Sequence, residues 1–256
     1  MKIIACIKQV PDSEAKVKAE GAKISWGDAP LVINPFDEYA VEGALQQKEA
    51  SNGTVTVLCV GPESAKEALK HALAMGADDA VLVSDAALAE LDTLGAAHVL
   101  AAAIKKIGDA DMAVFGRQTL DNGSGLTPTQ TARILGWPML GLAGQIKVDA
   151  GNVTVERVIE EGRQTVSAKL PAVISVVQSI GEPRYPSFMG IRKASKAEIA
   201  VWSLADIGAA APVPIVTRTE LLNPPARDAA VEIITGESPV EIAEKLADKI
   251  LAEKVL

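Results

Sequence analysis

"DMAVFGRQTLDNGSGLTPTQTARILG", residues 111–136, joins three textures in one segment. Asp111 to Gly116 read as a strand of near-continuous apolar character, the pattern of a strand covered on both faces. From Thr127 onward the segment reads as a helix, with Thr127 as N-cap and Pro128 at the first helical position. The loop between them carries Gly116, Gly123 and Gly125, which let a backbone approach a ligand closely. In open parallel sheets, ligands bind outside the carboxyl ends of the strands. The free N–H groups and positive dipole end of the following helix favour a phosphate there. A plain flexible connection is the competing reading, and the position after a parallel strand sets the nucleotide reading above it. The loop is not a Walker loop, because the Gly-Lys-Ser/Thr ending is missing, and no GxGxxG occurs.

The same alternation runs through the residues upstream. "KIIACI" (2–7), "VTVLCV" (55–60) and "DAVLVS" (79–84) are further apolar strands. Between them, "NPFDEYAVEGALQQKEA" (34–50) opens with Asn34 as N-cap and Pro35 at the first helical position. "ESAKEALKHALAMG" (63–76) sets Ala65, Leu69, Ala72 and Leu73 on one face and stops at Gly76. "DTLGAAHVLAAAIKKIG" (92–108) is a third helix, apolar as far as Ile107. Alternating strands and helices imply an α/β fold, a doubly wound, mostly parallel sheet with right-handed crossovers. After Pro138, "GQIKVDAGNVTVERVIEEGRQTVSAKLPAVISVVQ" (144–178) reads as added antiparallel strands, with turns at Ala150-Gly151-Asn152 and Glu161-Gly162. From Ile207 the chain is rich in Pro and small residues, and reads as an extended C-terminal arm. The arm ends in a helix with a Ser238–Glu241 capping box, Pro239 at its first position, and an apolar stripe of Val240, Ala243, Leu246, Ala247 and Ile250. Such a stripe must lie against a partner or the chain's own core, and the partner is the preferred reading. The expected organisation is a domain over 1–206, including a loop at 181–196, and an arm and helix over 207–256.

Composition narrows the function. The 256 residues are 48% hydrophobic and 23% charged, with a net charge of −8 and a pI near 4.9. An acidic chain lacks the basic face that nucleic acid requires, and aromatics at 3% leave few platforms for stacked bases. No apolar run approaches the ~20 residues of a membrane helix. "MKIIACIKQVPDSE" has too short an apolar core for a signal peptide. Cys6 and Cys59, each inside an apolar strand, read as buried free thiols, which suits a reducing cytoplasm, the preferred reading, and an organelle matrix equally. His71 and His98 lie in helical patterns without ligand spacing, so no metal site is expected. No Gly-x-Ser-x-Gly motif occurs and no acid–base pair stands out, so no catalytic residue is assigned. Residues alone therefore give a nucleotide-binding protein without a catalytic constellation.

"GEPRYPSFMGIRKASK" (181–196) poses a separate question. Two prolines and two glycines forbid a long regular element, yet Phe188 and Met189 stand at its tip. A fold-back onto the domain is one explanation, and a docking tip for another protein is the other.

Six segments together resemble the small (beta) subunit of electron-transfer flavoproteins over nearly the whole chain: "CIKQVPD", "INPFDEYAVEGAL", "ALAMGAD", "GRQTLDNGSG" ahead of "GWP", "KLPAVISV" and "EPRYPSFMGIRKA". The resemblance implies an adenine-nucleotide-binding type of sheet and a heterodimer. In that heterodimer the large (alpha) subunit holds the redox-active FAD and this chain holds AMP. It carries the AMP contacts onto Cys6, Asn34, Pro35, Phe36, Asp37, Val60 and the run Gly116, Arg117, Gln118, Thr119, Leu120, Asp121, Asn122, Gly123, Ser124, Gly125, Leu126 and Thr127. It also implies that the loop at 181–196 docks a donor dehydrogenase, such as an acyl-CoA dehydrogenase. Tyr185, Phe188, Met189, Arg192 and Lys193 would make that contact, with Phe188 at the anchor position, where leucine is common. Bifurcating relatives show an Asp-Gly-Asp-Thr-Ala-Gln-like run that is missing here, which favours AMP over a second FAD. The expected role is an electron carrier rather than an enzyme, passing electrons to a respiratory or quinone-linked acceptor. Two alternatives stand beside it: a bifurcating subunit with a second FAD that oxidises NADH, and a stress-type adenine-nucleotide-binding or hydrolysing protein.

Overall fold

Strand β1 (Lys2–Ile7) is buried along nearly its whole length, and its side chains divide between two cores. Ile3, Ala5 and Ile7 point into one core, and Ile4 and Cys6 into the other. Period-two alternation with apolar residues on both faces requires a cover on each side. The computed structural model supplies both covers; it describes residues 1–20, 23–216, 219–223 and 231–253.

Beyond β1 come three short strands and a fourth that opens the first helix: β2 (Gln9–Pro11), β3 (Lys18–Glu20), β4 (Lys23–Ser25) and β5 (Leu31–Ile33), then α1 (Pro35–Ser51). The parallel core continues with β6 (Thr54–Val60), α2 (Lys66–Met75), β7 (Asp79–Val83), α3 (Thr93–Ile107), β8 (Met112–Gly116) and α4 (Thr127–Leu135). Then follow β9 (Met139–Asp149), β10 (Asn152–Ile159), β11 (Gly162–Lys169), β12 (Ala172–Val176), α5 (Phe188–Ala194) and β13 (Ala200–Trp202). The main sheet runs β11-β10-β9-β12-β8-β1-β6-β7-β13. Helices α1 and α2 bury Val41, Leu45, Leu69 and Ala72 in the core on one face, while α3 and α4 place Val99, Ile104 and Ala132 in the other. The fold is therefore α/β and doubly wound, as its alternating elements require.

From β1 the chain steps to β6 and β7 on one side, then returns to place β8 on the other side of β1. The strand order reverses between β1 and β8, and a crevice opens there beyond the strand ends.

One expectation about pairing is corrected. Of the segment read as antiparallel, only β9, β10 and β11 form an antiparallel meander. β12 runs parallel to both β8 and β9 and lies between them. All five of its residues are buried, and a run apolar on both faces fits a covered parallel strand better than a half-exposed hairpin.

The chain divides into two compact units, Met1–Leu221 and Leu222–Leu256. The second contains α6 (Pro239–Ala252), whose cap Ser238 accepts the Glu241 N–H. Glu241 reaches back to the N–H of Glu237, one residue before the cap, at 2.8 Å. No residue of α6 is buried.

Candidate functional site

The crevice at the strand reversal is a cleft of about 300 Å³. The ends of β1 (Cys6, Ile7), β6 (Val60) and β8 (Phe115, Gly116) form its floor. Leu88, Leu91 and Leu100 form an apolar wall on the α3 side. Gln118, Thr119, Asn122, Ser124 and Gly125 of the glycine-rich loop close the opposite side, with Thr127 and Pro128 of α4.

Three contacts set the loop's shape. Asn34 is fully buried; its Nδ2 donates to the Gln118 carbonyl at 2.9 Å and its Oδ1 accepts the Leu120 N–H at 3.1 Å. Sequence assigns Asn34 as the cap of α1, and it does precede the helix, but its side chain makes no capping bond and holds the glycine-rich loop instead. Asp37, in the first turn of α1, accepts the Lys8 N–H at 2.8 Å and the Gly116 N–H at 3.2 Å. Gly116 must be glycine: a Cβ there would collide with Asp37 Oδ1 and the backbone of Phe36. Finally, Lys8 Nζ pairs with Asp121 Oδ2 at 2.5 Å, leaving Asp121 Oδ1 buried without a partner.

The loop's backbone fits a bound anion. Gly123 and Gly125 have φ of +71° and +63°, in the left-handed region that favours glycine. A Cβ on Gly125 would stand 3.1 Å from the Arg117 carbonyl oxygen. Helix α4 starts one residue earlier than expected, with Leu126 as N-cap and no side-chain cap bond. Pro128 has no N–H and the Gln130 N–H bonds the Leu126 carbonyl, so the uncapped donor this end can offer beside Ser124 and Gly125 is the Thr127 N–H.

Burial dominates the electrostatics of the floor. It pushes the Asp37 carboxyl up to about 7, against the opposing pull of the Asn34 side chain, the Lys8 and Gly116 N–H groups and the Lys8 charge. Burial, with the Asp37 charge nearby, holds the Cys6 thiol well above its ordinary value, and burial pushes Cys59 up to about 12. Both cysteines are buried and free, and Cys6 contributes a wall rather than a nucleophile.

Of the residues named from sequence, Cys6, Asp37, Val60, Gly116, Gln118, Thr119, Asn122, Ser124, Gly125 and Thr127 come together around the cleft. Asn34 and Asp121 act behind the loop, and Pro35, Phe36, Leu120 and Leu126 lie outside the lining. Arg117 and Gly123 line instead an adjoining groove of about 670 Å³, with Arg157 and Ser175. Sequence reasoning missed Lys8, Gly61, Pro62, Leu88, Leu100 and Phe115. Lys8, Gly61 and Pro62 follow strand ends, and the rule that placed the glycine-rich loop applies to them equally. Leu88 and Leu100 look like ordinary core residues.

A second feature stands apart from the cleft. Tyr185, Phe188 and Met189 are 87%, 80% and 68% exposed, around the short helix α5. Arg192 and Lys193 lie in its last turn. Phe188 does not fold back onto the domain.

Among the described residues no helix is long and apolar enough to cross a membrane. The electron transfer flavoprotein domain model matches residues 27–207. The electron transfer flavoprotein subunit beta of Megasphaera elsdenii is 35% identical over the whole of both chains. A caffeyl-CoA reductase-Etf complex subunit, CarD, of Acetobacterium woodii is 34% identical, again over the whole of both. The subunit beta of Mycobacterium tuberculosis is 41% identical over 80% of each. The chain belongs to the electron transfer flavoprotein family, among its beta subunits.

Proposed function

We propose that this chain holds AMP in the β1/β8 cleft and serves as the platform of an electron-carrying heterodimer. Its relatives' designation as beta subunits implies an alpha-subunit partner. Redox chemistry is supplied by FAD, held mainly by that large subunit. This chain's residues bind, orient and dock. The backbone of Ser124 and Gly125 and the free start of α4 hold the phosphate, while Cys6, Val60, Leu88 and Leu100 wall the base. The single observation that carries the reading is the cleft itself. At about 300 Å³ it lies at the small end of ligand pockets, roughly 300–1,000 Å³. That volume suits a mononucleotide better than a dinucleotide about twice its size.

Phe188 anchors a donor dehydrogenase, flanked by Tyr185 and Met189, and Arg192 and Lys193 steer acidic partner surfaces toward it. One buried aromatic anchor contributes roughly 1.5–3 kcal/mol, enough for an encounter that must end after each electron transfer.

A second reading keeps the site and changes its occupant to a second FAD. The full-length similarity to a subunit of a reductase-Etf complex favours it, as does the adjoining groove of about 670 Å³ that shares Gln118, Ser124 and Gly125 with the cleft. Denaturing the purified heterodimer and quantifying released nucleotide separates the two. One FAD and one AMP per heterodimer is the expected result. Two FAD and no AMP selects the second reading, and flavin with no adenylate in this chain rejects both.

A further inference from the structure

The exposed tip of loop 181–196 rests on a base that several hydrogen bonds tie to α1. Arg184 lies four residues before Phe188, and its guanidinium grips one carboxylate of α1 with two hydrogen bonds: Nε to Glu42 Oε2 at 2.8 Å and Nη2 to Glu42 Oε1 at 3.0 Å. The backbone N–H of Arg184 adds a third bond to Glu42 Oε2 at 3.2 Å. A second carboxylate, Glu49, takes Nη1 at 2.5 Å from the next turns of the same helix. The side chain of Glu42 is only 7% exposed, whereas that of Glu49 is 59% exposed. Burial alone would raise the Glu42 carboxyl; Arg184's hydrogen bonds and charge outweigh it and hold the group below its ordinary value. Nearby, Gln46 donates to the Ile180 carbonyl at 3.2 Å, fixing the point where the loop leaves the sheet. At the loop's other end, Gly190 packs so closely on the last turn of α2 that a Cβ would collide with the Ala74 carbonyl.

Ile180 and Ala194, at the two ends of the loop, belong to the core of the domain, whereas Tyr185, Phe188 and Met189 between them are exposed and add nothing to that core. A docking surface gains from the clamp: a face already in its binding conformation loses less entropy on association. We propose that Glu42 is a positioning residue for donor docking, acting through Arg184 to preset the Tyr185–Phe188–Met189 face. This rests on the docking role proposed for Phe188. If unclamping leaves the competent conformation populated about one tenth of the time, apparent affinity for the donor falls about tenfold, because affinity scales with the competent fraction. The electron-transfer step within the formed complex is unchanged.

The test uses the purified heterodimer with an acyl-CoA dehydrogenase that reduces the wild type. Glu42→Gln keeps the shape of the side chain but loses its charge and one acceptor. It is expected to raise KM for the dehydrogenase about five- to tenfold, with kcat, flavin content and nucleotide content unchanged. Arg184→Lys should behave alike, since an ammonium cannot reproduce the two-pronged grip. The double variant should be no worse than the worse single, as expected for one shared clamp. Phe188→Ala is the control. If Phe188→Ala raises KM and Glu42→Gln leaves it within twofold, the positioning role is overturned while docking stands. If neither variant moves KM, the docking reading itself fails. A matched fall in kcat and flavin content with Glu42→Gln would make the residue a general support of the fold and would likewise overturn the proposal.

Discussion

Asp37 is a carboxyl in a site that sequence resemblance assigns to a phosphate ester, and its environment shows how the two are compatible. Burial lifts its pKa to about 7 in the folded chain, from a value near 4 when unfolded. Between those values the folded form binds a proton that the unfolded form has released. Stability contributed by this residue is therefore greatest below about pH 4 and falls as pH rises through the window to about 7, by about 4 kcal/mol at the most. The comparison with Asp37→Asn isolates this term: the wild type's thermal midpoint relative to the variant should decline steadily from pH 5 to pH 8. A flat difference would place the folded pKa in the ordinary carboxylate range. Gly116, which donates to the same carboxyl, makes a steric test of the same corner. An added methyl meets backbone at Phe36, which cannot swing aside, so Gly116→Ala should cost about 1–3 kcal/mol. It should also empty the nucleotide site, read as AMP released per heterodimer.

Helix α1 links the two ends of the subunit's proposed task. Its first turn supplies Asp37 to the cleft floor, preceded by Asn34 behind the loop, and its later turns supply Glu42, Gln46 and Glu49 to the docking loop. Asn34→Ala should release residues 118–120 by removing two hydrogen bonds, and leave the Leu120 N–H short of a partner, at about 1–3 kcal/mol. Calorimetric titration of AMP into nucleotide-stripped heterodimer should show roughly tenfold weaker binding or more. Asn34→Asp should fall between, because it still accepts from Leu120 but repels the Gln118 carbonyl. The start of the helix was legible in the sequence through Asn34-Pro35, as were β1, β6, β7 and β8, whose near-continuous apolar runs have few alternatives to a covered parallel strand. The glycine-rich loop was legible because its position follows from that strand pattern. Long-range partners were not. Glu42 and Arg184 are separated by 142 positions, and nothing local marks a glutamate on α1 as buried. The parallel direction of β12 was hidden because a strand's own residues specify burial on two faces, while the preceding meander suggested antiparallel pairing. The start of α4 shifted to Thr127, with Leu126 as its cap residue, because a threonine before proline reads as a cap, whereas here Thr127 is itself helical and no side chain caps the helix.

Two charge and surface patterns extend across the chain, and each asks for a partner. The net charge is −8, yet the loop at 181–196 carries Arg192 and Lys193 in the last turn of α5, close in sequence to the exposed Phe188 and Met189, so the local sign opposes the global one. The second pattern is at the C-terminal end. Within Leu222–Leu256, the stripe residues Val240, Leu246 and Ile250 are 67%, 46% and 36% exposed, and α6 has no buried residue at all. A helix with this apolar stripe is stable when the stripe is covered, since short helices in water derive most of their stability from packing. Burying three such side chains contributes roughly 1.5–3 kcal/mol each, which together corresponds to about three orders of magnitude or more in affinity. We propose that the alpha subunit supplies the cover. The unit Met1–Leu221 contains both cores and every residue that lines the cleft, so it has the interior to fold without the second unit. A chain ending at Leu221 should accordingly keep its circular dichroism spectrum and its affinity for AMP, while its dissociation constant for the flavin-bearing subunit rises at least a hundredfold. Retention of full-strength association by the shortened chain would show that residues 222–256 contribute nothing to the heterodimer. Loss of the spectrum would show that α6 and its neighbours complete the core of this chain instead.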